Sequence, residues 1–323
     1  MKRRAVLLAI LAVLSLFALR AAAQSWPSRP VRIVVPYPPG GANDIVARAL
    51  QSRIAAALGQ PITIENRGGG ATQIGTEAVA RAAPDGYTFL LTNIALGANP
   101  SLFTKLPYDT TRDLAPITLV STVPLVLVVH PSVPAQNVAE FIALAKAKPG
   151  ALTYASAGNG SANHLSMEMF RASAGLDAVH VPYKGFGPAL IDLLAGRVSA
   201  AFATTLAVLP HAHAGKLRML GISTAQRSAA APEVPTVAES GLPGFDVREW
   251  QMLLAPAGTP PEILERLQRE VAAALQVDEV RARLTELGAT PVGGSTAEAH
   301  AFLRAELARW ADLTKRAGIR PQD

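Results

Sequence analysis

A strand-to-helix corner near the start of the chain constrains the fold more than any other stretch. Residues 31–35 are mostly apolar, as in a buried strand, and a proline-rich turn and Gly40-Gly41 follow them. Asn43 or Asp44 can cap the helix that comes next. A glycine loop at a helix N-terminus directs N–H groups and the positive end of the helix dipole outward, which favours an anion. The pattern predicts a loop that holds a carboxylate; the alternative is an ordinary turn of an α/β fold.

The first 23 residues have the pattern of an export signal. Basic residues at positions 2–4 precede an apolar run over residues 5–19, and small residues at positions 21–23 match an A-x-A cleavage site. We expect cleavage after Ala23 and delivery to the bacterial periplasm; the alternative is an uncleaved N-terminal anchor. The chain contains no cysteine, which excludes a lipid-modified cysteine, a disulfide framework and thiol catalysis.

The net positive charge of the chain arises mostly in this leader. The whole chain has 30 basic and 24 acidic residues, a net charge of +6. Removing 23 residues, four of them basic, leaves 300 residues with 26 basic and 24 acidic side chains, a net charge of +2. No cluster of lysine and arginine with interleaved aromatic residues is present, so we expect no nucleic-acid partner. The remaining length suffices for two lobes of roughly 150 residues each.

The rest of the chain alternates between strand and helix patterns, which predicts an α/β fold with mostly parallel sheets. Strands are expected at residues 31–35, 61–65, 87–92, 117–120, 125–129, 152–155, 178–181, 198–203, 218–223 and 250–255. Helices are expected at residues 44–58, 72–82, 138–146, 162–174, 188–195 and 206–214 and in the tail, where the last one ends near Gly318. Capping boxes are expected at residues 137–140, 259–262 and 295–298. We place a lobe crossing near Pro124, which gives one lobe of residues 24–122 plus 251–323 and a second of residues 123–250.

A second glycine-rich corner stands in the second predicted lobe. The segment from Ser156 to Ser161, which reads SAGNGS, separates a predicted strand from a predicted helix. Two such loops that face each other across a hinge would offer an anion two sets of N–H donors, together with nearby hydroxyl and amide groups. This arrangement predicts a clamp for a small molecule. The alternative is a flexible turn with a serine or asparagine cap.

Individual polar side chains near these loops have two interpretations each. His164 lies in the first turn of its helix, where a proton on the ring would oppose the dipole, so a neutral ring is expected. It can donate to a bound carboxylate, or it can serve packing or capping. Asp44 can cap its helix or contact the ligand, and Lys184 can supply positive charge to the cleft or remain solvated.

The motifs of common enzymes are missing. The sequence has no H-E-x-x-H, G-x-S-x-G, P-loop lysine motif or dinucleotide G-x-G-x-x-G, and no pair of carboxylates stands out at a loop tip. His211 and His213 are two residues apart in a predicted helix, so they do not share a face and make a poor metal pair. Trp250 and Phe186 are interpreted as core or cleft wall. We therefore expect no enzyme activity and no cofactor, with an exported enzyme that uses His164 or Asp44 as the less favoured alternative.

Several segments together resemble the Bug-type, TctC-like extracytoplasmic solute receptors of tripartite tricarboxylate transporters. The resemblance covers nearly the whole chain after the leader and is specific in combination. The matching segments are residues 26–27, 30–36, 39–44, 65–67, 83–88, 99–102, 154–161, 164–165, 179–185, 233–236 and 254–260.

The resemblance implies a two-lobed, Venus-flytrap receptor with a type II periplasmic-binding-protein topology. It implies a small carboxylate or other organic solute in the cleft between the lobes and transfer to membrane permease subunits. We expect the receptor to be a monomer. A sensor for a signalling membrane protein is the alternative. The candidate ligand-binding residues are Tyr37, Pro39, Gly40, Gly41, Asn43, Asp44, Thr92, Asn93, Ser156, Gly158, Asn159, Gly160, Ser161, His164, Tyr183, Lys184 and Thr204.

One position departs from the family pattern. Many members carry an aspartate after the phenylalanine of the segment that reads VSAAFA here, at residues 198–203, whereas this chain has Ala203. An aspartate there can pair with a ligand ammonium. We therefore expect this receptor to prefer an uncharged or purely anionic solute over an amino acid.

Overall fold

A computed structural model describes residues 26–286, 288–316 and 321. The predicted leader and the helix end expected near Gly318 lie outside the described residues. The strands are β1 (Val31–Val35), β2 (Ile62–Asn66), β3 (Thr88–Asn93), β4 (Leu114–Val129), β5 (Thr153–Ser156), β6 (Val179–Pro182), β7 (Ala200–Thr204), β8 (Arg218–Ile222), β9 (Arg248–Pro256) and β10 (Thr290–Pro291). The helices are α1 (Ala42–Leu58), α2 (Gln73–Ala80), α3 (Ala95–Leu102), α4 (Val138–Ala147), α5 (Ala162–Ala174), α6 (Phe186–Leu194), α7 (Thr205–His213), α8 (Pro261–Ala274), α9 (Asp278–Glu286) and α10 (Thr296–Arg316).

The strands form one mixed sheet in the order β2-β1-β3-β9-β4-β7-β5-β6, and β8 and β10 both pair with β4. Parallel pairs lie at the two ends: β1 with β2 and β3, and β5 with β6 and β7. The central strands β4 and β9 are antiparallel to their neighbours. We name β1–β3 with their helices the first lobe and β5–β8 with theirs the second lobe. The two central strands connect them.

The predicted division of residues 117–129 into two strands is wrong. β4 is a single strand of 16 residues, and Pro124 lies within it. Up to Pro124 the strand pairs with β9, and from Leu125 onward it pairs with β7 and β8. The proline therefore stands where the strand changes partners. Its missing N–H falls between two sets of interstrand hydrogen bonds and not within one of them. The crossing between the lobes takes place inside a strand and not in a loop.

Side-chain caps fix several helix starts. In the predicted boxes at residues 137–140 and 295–298, the first side chain accepts the N–H of the glutamate three residues later, so both predictions are confirmed. The box expected at residues 259–262 is wrong. The Thr259 hydroxyl donates instead to the carbonyl of Pro256, and α8 starts without a side-chain cap.

Three buried apolar clusters hold the elements together. The largest joins both lobes and includes Trp250, which is fully buried in β9, while Phe186 is only partly buried against the smallest cluster. The second cluster lies between β1, β3, α1 and α8 in the first lobe. The C-terminal helix α10 packs on α3 and β4. The strands that lead into the glycine loops are therefore packed into a buried core, and such support is a requirement for a precise binding site.

Candidate functional site

The first glycine loop lies at the carboxyl end of β1 and leads into α1. The chain turns at Gly40, whose φ of +83° lies in the left-handed region that favours glycine. α1 begins at Ala42 with Gly41 as its N-cap, and no side chain caps it. The expectation that Asn43 or Asp44 caps this helix is therefore wrong. Both residues lie inside the first turn and are buried.

The carboxylate of Asp44 holds the loop instead. It accepts hydrogen bonds from the N–H of Gly40 at 2.9 Å, from Nε of Arg48 at 3.0 Å and from Nδ2 of Asn66 at 3.0 Å. Burial alone would raise the pKa of Asp44, but the hydrogen bonds from Arg48, Gly40 and Asn66 outweigh it, so the pKa lies below its usual value. Asp44 is thus a buried anion with partners inside the first lobe, and it fixes the shape of the loop.

Tyr37 and Asn93 form a hydrogen-bonded chain at the same edge of the first lobe. The Tyr37 hydroxyl donates to Asn93 Oδ1 at 2.6 Å, and Asn93 Nδ2 donates to Oε1 of Glu249 at 3.4 Å. Burial and the nearby Glu249 raise the pKa of Tyr37 well above its usual range. Pro39, also a candidate, is exposed at the tip of the loop. Glu249 was missed in the sequence, where its only signal is an acid beside the apolar return strand.

Buried polar atoms without a partner mark the strand ends of both lobes. Among the described residues, Asn43 Oδ1, Thr92 Oγ1 and Thr205 Oγ1 have no hydrogen bond, although each residue is at most 3% exposed. An unsatisfied buried group costs roughly 1–3 kcal/mol, so a ligand or water that supplied the missing partner at these three atoms would be favoured. Thr204, the predicted residue, is only half-buried. Its neighbour Thr205 is the better candidate for a contact.

The second glycine loop is fixed by its own side chains. Ser161 is the N-cap of α5 and accepts the N–H of His164 at 3.4 Å. Ser156 Oγ accepts the N–H of Gly158 at 3.1 Å, and His164 Nδ1 accepts the N–H of Gly160 at 3.2 Å. Both glycines have positive φ angles. The serine cap of the alternative interpretation is therefore present, but the loop around it is held by specific hydrogen bonds.

A stack of three rings lies beneath this loop. The ring centroids of His164 and His180 are 4.2 Å apart, and His180 lies 4.8 Å from Tyr154. Ser156 Oγ lies 2.6 Å from Nε2 of His180. Burial lowers the pKa of His164, and burial together with the neighbouring His164 lowers the pKa of His180 to about 4. The neutral His164 expected from the helix dipole is therefore favoured, mainly by burial.

The other candidates of the second lobe lie outside this group. The Tyr183 hydroxyl donates to Asp192 at 2.7 Å, and burial followed by the Asp192 contact raises its pKa to about 12. Its backbone adjoins the loop, since a Cβ at Gly158 would lie 3.1 Å from the Tyr183 carbonyl oxygen. Asn159 and Lys184 are exposed. The structure thus brings Ser156, Gly158, Gly160, Ser161 and His164 together, without the side chains of Tyr183 and Lys184.

The two loops meet at a short 3₁₀ turn that follows β2. A Cβ at Gly68 would lie 3.2 Å from Cδ of Pro38, and a Cβ at Gly160 would lie 3.1 Å from Cβ of Ala71. Asn99 Nδ2 donates to the Ala71 carbonyl at 2.8 Å and holds the turn. Both loops therefore lie on the same side of the molecule, and the lobes are in contact there. The glycine run at residues 68–70 leads into this turn in the sequence, but neither the run nor Asn99 was among the candidate site residues.

Other features of the surface offer less chemistry. Two cavities of about 530 Å³, one beside α3 and one between α1 and α9, are lined by residues outside the two glycine loops. Among the residues that the structure describes, no group of three or more His, Asp or Glu could hold a metal ion. Within the same residues, no helix combines the length and the apolar character that a membrane crossing requires.

The architecture defines a class of protein. A mixed sheet in two lobes, joined by two central strands and flanked by helices, is the two-lobed type II periplasmic-binding-protein fold, also called a Venus flytrap. Comparison with known proteins identifies the family. Residues 46–319 match the model of the tripartite tricarboxylate transporter family receptor, TctC.

Individual relatives agree with this match. Protein BugT of Bordetella pertussis is 39% identical over 319 residues, which cover 96% of this chain and 98% of BugT. A structure of R. palustris Rpa4515 with adipate is 38% identical, covers 92% of this chain and all of the other, and has a TM-score of 0.83. MatC (Rpa3494) from Rhodopseudomonas palustris with bound malate is 36% identical, covers 89% of this chain and 99% of the other, and has a TM-score of 0.81.

The chain belongs to the TctC family of tripartite tricarboxylate transporter receptors. The resemblance and the fold class expected from the sequence are both confirmed. Members of the family are periplasmic solute-binding receptors and not enzymes.

Proposed function

We propose that this chain captures a small organic carboxylate between the two glycine loops and delivers it to the permease of a tripartite tricarboxylate transporter. The observation that carries the proposal is the meeting of the loops at one turn, with Gly160 against Ala71. Each loop follows a strand and opens a helix, so each lobe contributes N–H groups and the positive end of a helix dipole. A carboxylate suits such a site because its oxygens accept several hydrogen bonds at once.

The proposed ligand set consists of the predicted residues that lie at these strand ends, with Thr205 added. It comprises Tyr37, Gly40, Gly41, Asn43, Thr92, Asn93, Ser156, Gly158, Gly160, Ser161, His164 and Thr205. Asp44 supports the first loop without touching the ligand, because its carboxylate already has three partners. His164 can donate only through Nε2, since Nδ1 accepts from Gly160.

Export and hinge motion complete the proposal. Residues 1–23 are removed as a signal peptide, and the receptor works in the periplasm as a monomer. Residues 24–122 with 251–323 form one lobe and residues 123–250 the other. The lobes open and close on the ligand by bending of β4 and β9, the two strands that cross between them.

We expect the ligand to carry no ammonium group. Ala203 stands where many relatives have an aspartate, and it is fully buried in an apolar cluster. The similar structures with adipate and malate support a carboxylate ligand. Micromolar binding of aspartate or glutamate in a calorimetric titration would contradict the absence of an ammonium partner.

A thermal-shift screen of the purified, leader-free protein against carboxylates tests the function. A ligand present at a hundred times its dissociation constant should stabilise the protein by about 2.7 kcal/mol. Calorimetry then gives the affinity of each hit, and analysis of the recovered ligand checks that it is unchanged. Absence of stabilisation by any carboxylate contradicts the proposal. Turnover of the ligand would favour an exported enzyme, and capture of a signalling membrane protein, without the permease, would favour a sensor.

A further inference from the structure

Glu249 is a buried acid at the boundary between the lobes. The register of β9 against β3 ends with Asn93 opposite Gln251, and β9 continues two residues further to Glu249. Glu249 therefore lies beyond the carboxyl end of β3, at the edge where Tyr37 and Asn93 form their hydrogen-bonded chain. On its other side Glu249 pairs with Val123 of β4. It thus belongs to one of the two strands that connect the lobes, at the floor of the proposed cleft.

The surroundings of Glu249 leave it with hydrogen-bonding capacity. Glu249 is 8% exposed, and its neighbours among the described residues are two amides: Asn93, which donates over a long 3.4 Å, and Gln251. No ion pair to Glu249 occurs within the described part of the chain. Burial raises the pKa of Glu249, and the nearby Asn93 and Gln251 amides oppose this only in part. The surroundings therefore favour the neutral acid, whose hydroxyl is a donor.

A second buried glutamate shows what a purely structural acid looks like here. Glu306 in α10 is 6% exposed, and its two carboxylate oxygens accept from Trp250 Nε1 at 2.9 Å and from Arg309 at 3.1 Å. Both oxygens of Glu306 thus have close partners inside the protein. Glu249 has no arginine partner among the described residues, and the contact from Asn93 is longer than either of these, although Glu249 lies beside the strand end that carries Asn93. A buried acid with unused hydrogen-bonding capacity is expected where a ligand or water supplies the missing hydrogen bond.

We propose that Glu249 binds the end of the ligand that lies away from the glycine loops and thereby selects dicarboxylates over the monocarboxylates of equal length. The inference rests on the proposed function, because it assumes that the loops hold the first carboxylate. A neutral acid and a carboxylate can share one proton in a short O–H···O⁻ hydrogen bond, which is about twice as strong as a neutral one. A methyl group in the same place leaves the acid unpaired.

Calorimetric titrations at pH 6 with succinate, butyrate, adipate and hexanoate test this role. We expect the unaltered protein to bind one dicarboxylate at least tenfold more tightly than the monocarboxylate of equal length. In Glu249→Ala the dicarboxylate affinity should fall about ten- to a hundredfold, as for loss of a hydrogen bond to a charged group, while the monocarboxylate affinity stays within threefold. Glu249→Gln keeps a donor and should retain most of the preference. It also keeps the size of the side chain, so it tests the role of Glu249 even where the alanine variant does not fold.

Glu306→Gln is the matched control, since it alters a buried glutamate outside the cleft and should leave the affinity ratio unchanged. An equal loss of affinity for mono- and dicarboxylates in Glu249→Ala would indicate a structural role and overturn the inference. Equal affinities for both kinds of acid in the unaltered protein would overturn it while leaving the proposed function intact. Failure to bind any carboxylate at all would contradict both.

Discussion

At the scale of single residues, the two lobes hold their glycine loops with different chemistry. The first lobe uses the carboxylate of Asp44, which accepts the N–H of Gly40 and pairs with Arg48. The second lobe uses neutral acceptors, Ser156 and His164, for the glycine N–H groups. Removal of the charge on Asp44 should therefore destabilise the first loop, and addition of a proton to the histidines should destabilise the second.

Asp44→Asn tests the first of these responses. The side chain of Asp44 is 3% exposed, so the change removes the charge of a buried carboxylate and weakens its hydrogen bonds with three partners, Gly40, Arg48 and Asn66. We expect a loss of about 1–3 kcal/mol in the free energy of unfolding, measured by urea titration. Glu279→Gln is the control, because its pair with Arg53 is exposed and should be worth less than about 1 kcal/mol. A loss no larger than that of the control would show that Asp44 does not hold the loop.

The histidine stack should make stability depend on pH below neutrality. The folded protein lowers the pKa of His164 and brings that of His180 to about 4, whereas an unfolded histidine titrates near 6.5. Below pH 6.5 the unfolded chain binds more protons than the folded one, so stability falls as the pH drops toward 4 and is fully present above pH 6.5. Melting temperatures of His180→Gln should fall less steeply across this range. His213→Gln, a change at an exposed histidine, should keep the original slope; a slope unchanged in both variants would contradict the prediction.

At the scale of elements, the 3₁₀ turn after β2 contains an unusual backbone. Ala71 and Thr72 have φ angles of +50° and +77°, the only positive values among the described residues other than glycine. The left-handed region costs a residue with a Cβ about 1–2 kcal/mol. Asn99 holds the turn by donating to the Ala71 carbonyl and to the Thr72 hydroxyl. The turn is thus strained where it touches the second lobe.

Two alanine-to-glycine changes in neighbouring segments should have opposite effects. Ala71→Gly relieves the left-handed strain and should raise the free energy of unfolding by about 0.5–1 kcal/mol after the entropy of glycine in the unfolded chain is counted. Ala78→Gly lies in the interior of α2 and should lower it by about 1 kcal/mol. Urea titration of both variants gives the comparison. Destabilisation of the same size in the two would show that Ala71 carries no strain.

Most elements could be predicted from sequence periodicity, because nearly every strand and helix that was expected lies within three residues of its expected position. The helix α3 and the short strand β10 were not expected. The β4 strand could not be predicted, since proline normally ends a strand and only the change of partners at Pro124 makes it tolerable. The cap expected for α1 was also wrong, because the Asp44 carboxylate accepts from Gly40 and Arg48 and does not cap the helix. Contacts between distant segments, such as Asn99 with the strained turn, leave no local signal.

At the scale of the whole molecule, one contact joins the lobes at the mouth of the proposed cleft. Gly160 of the second lobe lies against Ala71 of the first, where a Cβ would come within 3.1 Å of the alanine Cβ. That distance is shorter than ordinary contact between carbon atoms, which is about 3.5–4.0 Å. The lobes can approach this closely because residue 160 has no side chain. A side chain at position 160 should therefore hinder closure of the two lobes.

Gly160→Ala should weaken ligand binding by keeping the lobes apart. We expect at least a tenfold rise in the dissociation constant of the best carboxylate, measured by calorimetry, and loss of any ligand-induced compaction in small-angle X-ray scattering. Gly175→Ala is the matched control, because Gly175 also has a positive φ, of +59°, yet nothing lies within 4 Å of its Cβ position. Both variants strain a left-handed residue and should lose similar stability, but only Gly160→Ala meets the opposite lobe. Equal affinity in the two variants would mean that the ligand-bound lobes do not meet at this residue, and the contact with Ala71 would then have no part in closure.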